Sequence, residues 1–271
     1  MRGSVRVAAM VAALGLCLAG FVGQASAAPG DLDPSFGVGG VVEARQAILQ
    51  DHLRETAVGM AIGPQDEILA LGAVPRSCSG VCPLELEVTR YSRHGSRDAS
   101  FGSNGRAVLT VQPGRAGEVP GSAVAVDNDG RVVVATSDGS DIAVFRLTRD
   151  GALDTGFAGT GIVKTDLGGR DGAAAIAVRP DGAVIVAATR ETPLEGFQSI
   201  LVRYTASGVL DTGFGDGGTR VLGFAPGNYP VGLTLPGRNR IAVGLSDCCY
   251  STGRALVARL DPSGALDNGF A

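Results

Sequence analysis

The chain has 271 residues, 45% of them hydrophobic, with 42 glycines, no tryptophan and a formal net charge of −4. This length is enough for one sizeable domain, which buries about 70–75% of its unfolded surface on folding. The mildly negative charge and the absence of a basic block argue against nucleic acid as a partner.

The first 27 residues are predicted to be a cleaved secretory signal. Two arginines precede an apolar run at residues 7–22, and an Ala-Ser-Ala cleavage site ends at Ala27. The run is shorter than the roughly 20 residues that span a bilayer, so we expect no stable membrane span after cleavage. The alternatives are a transmembrane anchor or a lipoprotein anchor at Cys17. We expect residues 28–271 to form a single domain that is secreted or held in the periplasm or cell envelope.

A short glycine-rich motif occurs five times, for example as LDPSFGVGG from Leu32 and LDTGFGDGG from Leu210. Every copy has an aspartate three residues before a phenylalanine, and the phenylalanines are 65, 56, 57 and 56 residues apart. In the four later copies an arginine precedes the phenylalanine by eleven residues. These repeated positions are Asp33, Phe36, Arg90, Asp98, Phe101, Arg146, Asp154, Phe157, Arg203, Asp211, Phe214, Arg259, Asp267 and Phe270.

Each period also contains four predicted strands. In the second unit the apolar segments 123–126 and 131–135 flank the sequence DNDG, and the third unit repeats this pattern around RPDG. The Asp-Gly pairs favour tight hairpin turns. One further strand carries the arginine, and another follows the motif. Because four short antiparallel strands are the content of one propeller blade, we expect an all-β, propeller-like array of four four-stranded blades, with the motif joining one blade to the next.

The pattern G-x-L-D-x-x-F-G-x-x-G, alternating with A-x-x-V-x-x-D-G-x-hydrophobic-V-V-A, resembles the delta-60 repeat, a β-propeller family of bacterial secreted and surface proteins. The resemblance covers essentially all of residues 28–271. The chain departs from the pattern at Arg97, where leucine is usual, and at Ala158, where glycine is usual. The resemblance implies an exported propeller and implies no settled biochemical activity.

Five motif copies bracket four units, and we expect these to close into a four-bladed ring. The alternatives are an open arc that a second molecule completes, giving a homodimer, and a truncated product, since the sequence stops inside the fifth copy. Four cysteines follow the signal, and an even number in an exported chain predicts disulfide bonds. They could join two neighbouring loops or pair locally, whereas a zinc site is disfavoured. These cysteines are Cys78, Cys82, Cys248 and Cys249.

Few residues indicate chemistry. His94 is predicted to be an exposed turn residue, and His52 lies outside the repeat. No P-loop, HExxH or nucleophile-elbow pattern occurs, so we expect no cofactor. The repeated Asp–Arg pairs are interpreted as structural clamps in preference to calcium ligands.

The insertions at residues 73–86, 191–198 and 246–253 break the repeat and are expected to project from one face. The sequence therefore favours an exported, non-catalytic scaffold that binds a protein or an envelope glycan through these loops. The alternative is a metal-dependent propeller hydrolase or lyase with a site in the central channel.

Overall fold

The computed structural model describes residues 31–42, 56–75, 83–112, 121–193, 196–224, 228–237, 240–247 and 255–270. All regular structure in these segments is β-strand, and no helix in them could cross a membrane. The strands are β1 (Thr56–Ile62), β2 (Ile68–Pro75), β3 (Leu84–Tyr91), β4 (Arg106–Val111), β5 (Ser122–Val126), β6 (Val132–Asp138), β7 (Asp141–Leu147), β8 (Ile162–Thr165), β9 (Arg170–Val178), β10 (Val184–Thr192), β11 (Gly196–Tyr204), β12 (Thr219–Val221), β13 (Asn228–Thr234), β14 (Ile241–Asp247) and β15 (Ala255–Leu260).

The strands form four antiparallel sheets, which we call blades 1 to 4. Blade 1 contains β1–β4, blade 2 contains β5–β8, blade 3 contains β9–β12, and blade 4 contains β13–β15. Strands pair in chain order within every blade. The predicted all-β propeller-like fold is confirmed, and blade 4 shows three strands in the described part of the chain.

The predicted hairpins form where the Asp-Gly pairs lie. In blade 2, Val126 pairs with Val132 across the turn, and Gly130 takes a φ of 79°. The Asp127 carboxylate accepts hydrogen bonds from the backbone N–H groups of Asp129 and Arg131, each at 2.9 Å. The side chain thus satisfies turn donors that the strand ladder leaves unpaired, which is why aspartate suits this position.

The motif lies inside a blade, and the expectation that it joins consecutive blades is wrong. The strand after the third motif copy, β8, pairs back onto β7, with Phe145 opposite Ile162. The chain passes to the next blade only after this outer strand. The segments that break the repeat therefore follow the second strand of blades 1, 3 and 4. Of residues 191–198, most of the described ones belong to strands, because β10 runs to Thr192 and β11 begins at Gly196.

Three apolar cores lie between consecutive blades. Val132 and Val134 of β6 face blade 1, whereas Val133 and Ala135 of the same strand face blade 3. A third cluster joins blades 3 and 4. Both sides of an internal blade are therefore buried, which explains why its central strands are continuous apolar runs and do not alternate with polar residues.

The innermost strands β1, β5, β9 and β13 pack against each other in that order. No comparable packing joins β13 to β1 in the segments described above. These residues therefore form an open arc of four blades, whereas a closed ring was expected from the sequence.

Candidate functional site

The repeated arginine and aspartate form the same ion pair in all four blades. The arginine Nε to aspartate Oδ2 distance is 2.9 Å for Arg90–Asp98, 2.7 Å for Arg146–Asp154, 2.8 Å for Arg203–Asp211 and 2.8 Å for Arg259–Asp267. Each arginine lies near the end of the third strand of its blade, and its aspartate follows the turn eight residues later. The second oxygen of each aspartate accepts the backbone N–H two residues further on, at 2.9–3.1 Å.

Each of these arginines also stacks on the phenylalanine of its motif. The guanidinium carbon lies 4.7, 4.7, 4.6 and 4.5 Å from the ring centroids of Phe101, Phe157, Phe214 and Phe270. The first three rings are fully buried between blades, and Phe270 is partly exposed. We call the arginine, aspartate and phenylalanine of one blade a clamp.

A clamp also reaches the following blade. The Nη1 groups of Arg90, Arg146 and Arg203 donate to the carbonyl oxygens of Arg149, Ala206 and Pro262 respectively. In the first three clamps the residue after the phenylalanine donates its backbone N–H to a second carbonyl of the following blade. Gly102 donates to Asp150 at 2.7 Å, Ala158 to Ser207 at 2.7 Å and Gly215 to Ser263 at 2.9 Å. The arginine and the aspartate of a clamp pair their opposite charges, and the clamps of blades 1 to 3 also bond to the following blade.

The first motif copy differs from the other four. Asp33 pairs with no arginine among the described residues, and its carboxylate accepts hydrogen bonds from the Ser35 hydroxyl and N–H at 2.7 and 2.9 Å. The Ser35 hydroxyl is the main reason that the pKa of Asp33 is lowered. Phe36 is half-buried, and the Gly37 N–H donates to the His94 carbonyl at 3.0 Å.

Several predicted residues lie outside the described segments. These are Cys78, Cys82, Cys248, Cys249, His52 and residues 1–27. His94 is exposed in the turn after β3, where its Nε2 accepts a hydrogen bond from Arg93 at 3.0 Å. No group of three or more His, Cys, Asp or Glu side chains in the described ranges is arranged to hold a metal ion.

A cavity of about 300 Å³ opens at the end of blades 2 to 4 where residues 191–198 lie. Its lining comes from the starts of β5, β9, β11 and β13, the turn after β6 and the end of β10. The charged and aromatic side chains of the lining are Arg170, Asp171, Glu191, Phe197 and Tyr229. The cavity therefore adjoins one of the segments that the sequence marked as breaking the repeat.

Asp171 is the most unusual group in this cavity. Its side chain is buried, and Oδ2 accepts the Leu167 N–H at 2.7 Å, but Oδ1 has no hydrogen-bond partner. Burial raises the pKa of Asp171 to about 6, and the hydrogen bond from the Leu167 N–H, with a smaller effect of the Arg190 charge, only partly offsets this rise. Arg190 in turn donates to the Leu167 carbonyl at 2.9 Å and so holds the same loop.

The cavity has aromatic and ionic walls beside Asp171. The rings of Phe197 and Tyr229 lie 5.0 Å apart between centroids, tilted by 47°. Arg170 Nη1 lies 4.0 Å from a carboxylate oxygen of Glu191. Two aromatic rings, one ion pair and the buried Asp171 therefore line a space large enough for a small ligand group.

Sequence reasoning did not select Asp171. The sequence GGRDG around it is typical of a turn, and no motif copy includes it. The strand register shows what could have found it: Asp171 pairs with Arg190, and the matching position in blade 4 is Asn228, which pairs with Asp247. A repeat alignment of the inner strands of blades 3 and 4 would have shown that Asp171 stands opposite an arginine where blade 4 has Asn228 opposite an aspartate.

A family model described as "Domain of unknown function (DUF5122) beta-propeller" matches residues 128–157 and 179–214. Each matched segment runs from the first hairpin turn of a blade to the phenylalanine of its motif, in blades 2 and 3 respectively. No curated protein matches the chain.

Three solved structures that match this chain share little sequence with it, and their TM-scores are below 0.5. A subtype N10 neuraminidase-like protein of A/little yellow-shouldered bat/Guatemala/060/2010 has a TM-score of 0.49 and 11% identity, covering 79% of this chain and 58% of its own. A GH74 xyloglucanase from Xanthomonas campestris has a TM-score of 0.41 and 13% identity, covering 76% and 29%. A hypothetical protein from Leishmania major has a TM-score of 0.41 and 11% identity, covering 77% and 69%.

This chain thus spans little more than half of the neuraminidase-like protein. The blades and the matched segments together lead to one conclusion. The chain is a β-propeller repeat protein, and its second and third blades match a propeller family of unknown function.

Proposed function

We propose that this protein is an exported, non-catalytic β-propeller scaffold of the delta-60 type that binds an envelope glycan in the cavity beside Asp171. The observation that carries the proposal is the buried Oδ1 of Asp171, which has no hydrogen-bond partner. A buried acceptor without a donor costs about 1–3 kcal/mol. Asp171 lies in the cavity wall, although Oδ1 itself is buried from solvent. A ligand hydroxyl that pushes the wall aside and reaches Oδ1 would recover this free energy, because it supplies the missing donor.

The surrounding groups favour a sugar over a cationic ligand. Arg170 lies on the cavity wall, and Arg190 stands opposite Asp171 in the strand register. These two positive charges balance the carboxylates of Glu191 and Asp171, so the cavity suits a neutral ligand better than a charged one. The Phe197 and Tyr229 rings offer apolar faces to the C–H groups of a pyranose, while Asp171 and Glu191 offer oxygen acceptors to its hydroxyl groups. A protein partner would need a wider surface than a cavity of about 300 Å³.

Asp171→Asn tests the site with little change of shape. We expect the variant to bind soluble peptidoglycan fragments, or neutral oligosaccharides on a glycan array, about 10–100-fold more weakly than the parent, because hydrogen bonds to a charged group contribute about 1.5–3 kcal/mol. Asp181→Asn is the matched control, since Asp181 lies at the opposite end of β9 in an exposed hairpin. Titration calorimetry measures both. Equal binding by the parent and Asp171→Asn would disprove the role of this cavity.

The pH dependence of binding provides a second check. The ionised form of Asp171 can accept a ligand hydroxyl at Oδ1, and protonation of that oxygen removes the acceptor site. Since burial sets its pKa at about 6, affinity should fall as the pH drops from 7.5 through 6 to 5. Asp171→Asn should bind with the same low affinity across this range. A parent affinity that is constant from pH 7.5 to 5 would contradict the assignment.

Two carboxyl groups in one cavity also suit sugar hydrolysis, where one acts as acid and the other as base or nucleophile. Here Asp171 has the raised pKa of an acid, and Glu191 is the second carboxylate, but Glu191 pairs with Arg170. Chromatography of the sugar probe after incubation separates the two functions. An unchanged probe supports the binding function. Cleavage of the probe by the parent that is lost in Asp171→Asn would show that the cavity hydrolyses the sugar.

The exported location rests on the first 27 residues and on the delta-60 resemblance. Expression of the full chain in a bacterial host and N-terminal sequencing of the exported product test it. A mature product that starts at Ala28 supports export, and a product that stays in the cytoplasm with residues 1–27 intact contradicts it.

A further inference from the structure

Blade 1 exposes apolar side chains at positions where the corresponding side chains of later blades are buried. Met60 lies two residues before the end of β1 and is 76% exposed. The matching residues Val124 in β5 and Ile176 in β9 are each 8% exposed, because the preceding blade covers them. Ile62 is likewise 72% exposed. We call this surface the blade 1 face.

A groove of about 610 Å³ crosses the blade 1 face. Its walls are almost wholly apolar and include Met60, Ile62, Ile68 and Tyr91, with Phe36 of the first motif copy at one side. No other blade in the described segments leaves this side uncovered, since blades 2 to 4 each pack it against the blade before.

Blade 4 shows the complementary exposure on its other side. Val257 lies two residues before the clamp arginine and is 64% exposed. The matching residues of the first three blades, Val88, Val144 and Leu201, are fully buried by the next blade. Phe270 is 40% exposed, whereas its three counterparts are fully buried. We call this surface the blade 4 face.

The clamp of blade 4 also lacks a contact that the other three make. Arg90, Arg146 and Arg203 each donate to a backbone carbonyl of the following blade, in the turn after its third strand. Arg259 bonds Asp267, and no following blade offers it a carbonyl in the described part of the chain. The corresponding carbonyl on blade 1 is that of Arg93, which directly precedes His94.

We propose that the blade 4 face of one molecule binds the blade 1 face of a second copy, so that the chains associate head to tail. The two faces are the halves of an interface that this chain already forms three times within itself, between blades 1 and 2, 2 and 3, and 3 and 4. Val257 of one copy would cover Met60 and Ile62 of the next, and Arg259 would gain a carbonyl partner. Phe270 would take the place of Phe36, because Gly37 of the first motif copy already holds the His94 carbonyl. This inference does not depend on the proposed glycan site.

The contact joins two different surfaces, so it is heterologous and can extend beyond a dimer. Sedimentation velocity on the parent across a range of concentrations should show a mass that rises past the dimer. Met60→Glu and Val257→Glu should each abolish association, with at least a tenfold loss of affinity. Val209→Glu is the control, because Val209 is equally exposed at 61% but lies in a turn of the internal blade 3. Circular dichroism and thermal melts check that every variant folds.

Mixing the two damaged variants gives the decisive measurement. Met60→Glu keeps an intact blade 4 face, and Val257→Glu keeps an intact blade 1 face. Their equimolar mixture should therefore form a one-to-one dimer and nothing larger, although each is monomeric alone. A parent that stays monomeric at all concentrations, or a mixture that stays monomeric while the parent associates, would overturn the proposal.

Discussion

At the scale of single residues, the clamp and the cavity use aspartate in opposite ways. Asp154 meets the Arg146 guanidinium at 2.7 Å and a backbone N–H at 2.9 Å, so both of its oxygens are satisfied. Asp171 is more deeply buried and leaves one oxygen without a donor. This unsatisfied carboxylate is the exception among the aspartates compared, and chains tend to break such local rules at functional sites, which is why we propose it as a binding group.

Asp154→Ala should destabilise the fold. The Arg146 side chain is only 5% exposed, so removing its partner leaves a buried positive charge, and such losses cost about 3–5 kcal/mol. Urea unfolding measures the change. Asp33→Ala is the matched control at the same motif position, because Asp33 is exposed and pairs with no arginine in the described segments; it should leave the free energy of unfolding nearly unchanged.

Calcium separates this structural role from metal binding. If the clamp is structural, calcium should not change the melting temperature of the parent or of Asp154→Ala. A calcium-dependent rise in the parent that Asp154→Ala abolishes would contradict the structural role of the clamp.

At the scale of strands and turns, the sequence predicted pairings between neighbouring residues of the chain but not pairings between distant ones. The hairpin between β5 and β6 follows from four local residues, and it forms as expected. The partner of β8 is not local, since the strand could pair backwards with β7 or contribute to the next sheet. Periodicity cannot distinguish these pairings, because the repeat has the same period whichever sheet the strand joins. Asp171 was missed for a related reason, since its burial arises from blades 2 and 3 meeting.

The turn glycines differ in what surrounds them, and this difference gives a prediction about the contact between neighbouring blades. Gly151 has a φ of +85°, and a Cβ there would lie 2.7 Å from the Gly102 nitrogen of the preceding blade. Gly139 has a similar φ of +74° with no atom within 4 Å. Gly151→Ala and Gly139→Ala therefore share the backbone strain, but only the first also crowds the motif of the neighbouring blade.

We expect Gly151→Ala to cost about 1–3 kcal/mol more than Gly139→Ala in urea unfolding, the usual range for overpacking. Equal losses of unfolding free energy in the two variants would show that the contact between Gly151 and Gly102 relaxes without cost. The packing of the two blades would then not depend on this close approach.

At the scale of the whole molecule, the repeat count was predictable and the closure was not. Five motif copies indicate four blades, and four blades are present. Whether the four blades close into a ring depends on which surface the first motif copy contacts. The first and last copies have such similar sequences that the sequence does not show which of them would occupy that surface. In the structure the first copy contacts blade 1, where Gly37 donates to the His94 carbonyl. That carbonyl corresponds to the acceptor that a preceding blade would use.

The first motif copy should therefore compete with a docking blade 4. Deleting residues 31–42 frees the His94 carbonyl and uncovers the groove next to Met60. We expect the deletion to strengthen head-to-tail association at least tenfold in sedimentation experiments. Weaker association after the deletion would show that the first copy supports the contact between molecules and does not block it.

The reach of each clamp into the next blade has a consequence for synthesis on the ribosome. Arg90, Arg146 and Arg203 find their carbonyl partners 59, 60 and 59 residues further along the chain. At elongation rates of about 5–20 residues per second, each arginine waits about 3–12 seconds for its acceptor to be made. A nascent blade thus emerges with one arginine N–H group that has no acceptor. The acceptor carbonyl exists only after the third strand of the next blade has been translated.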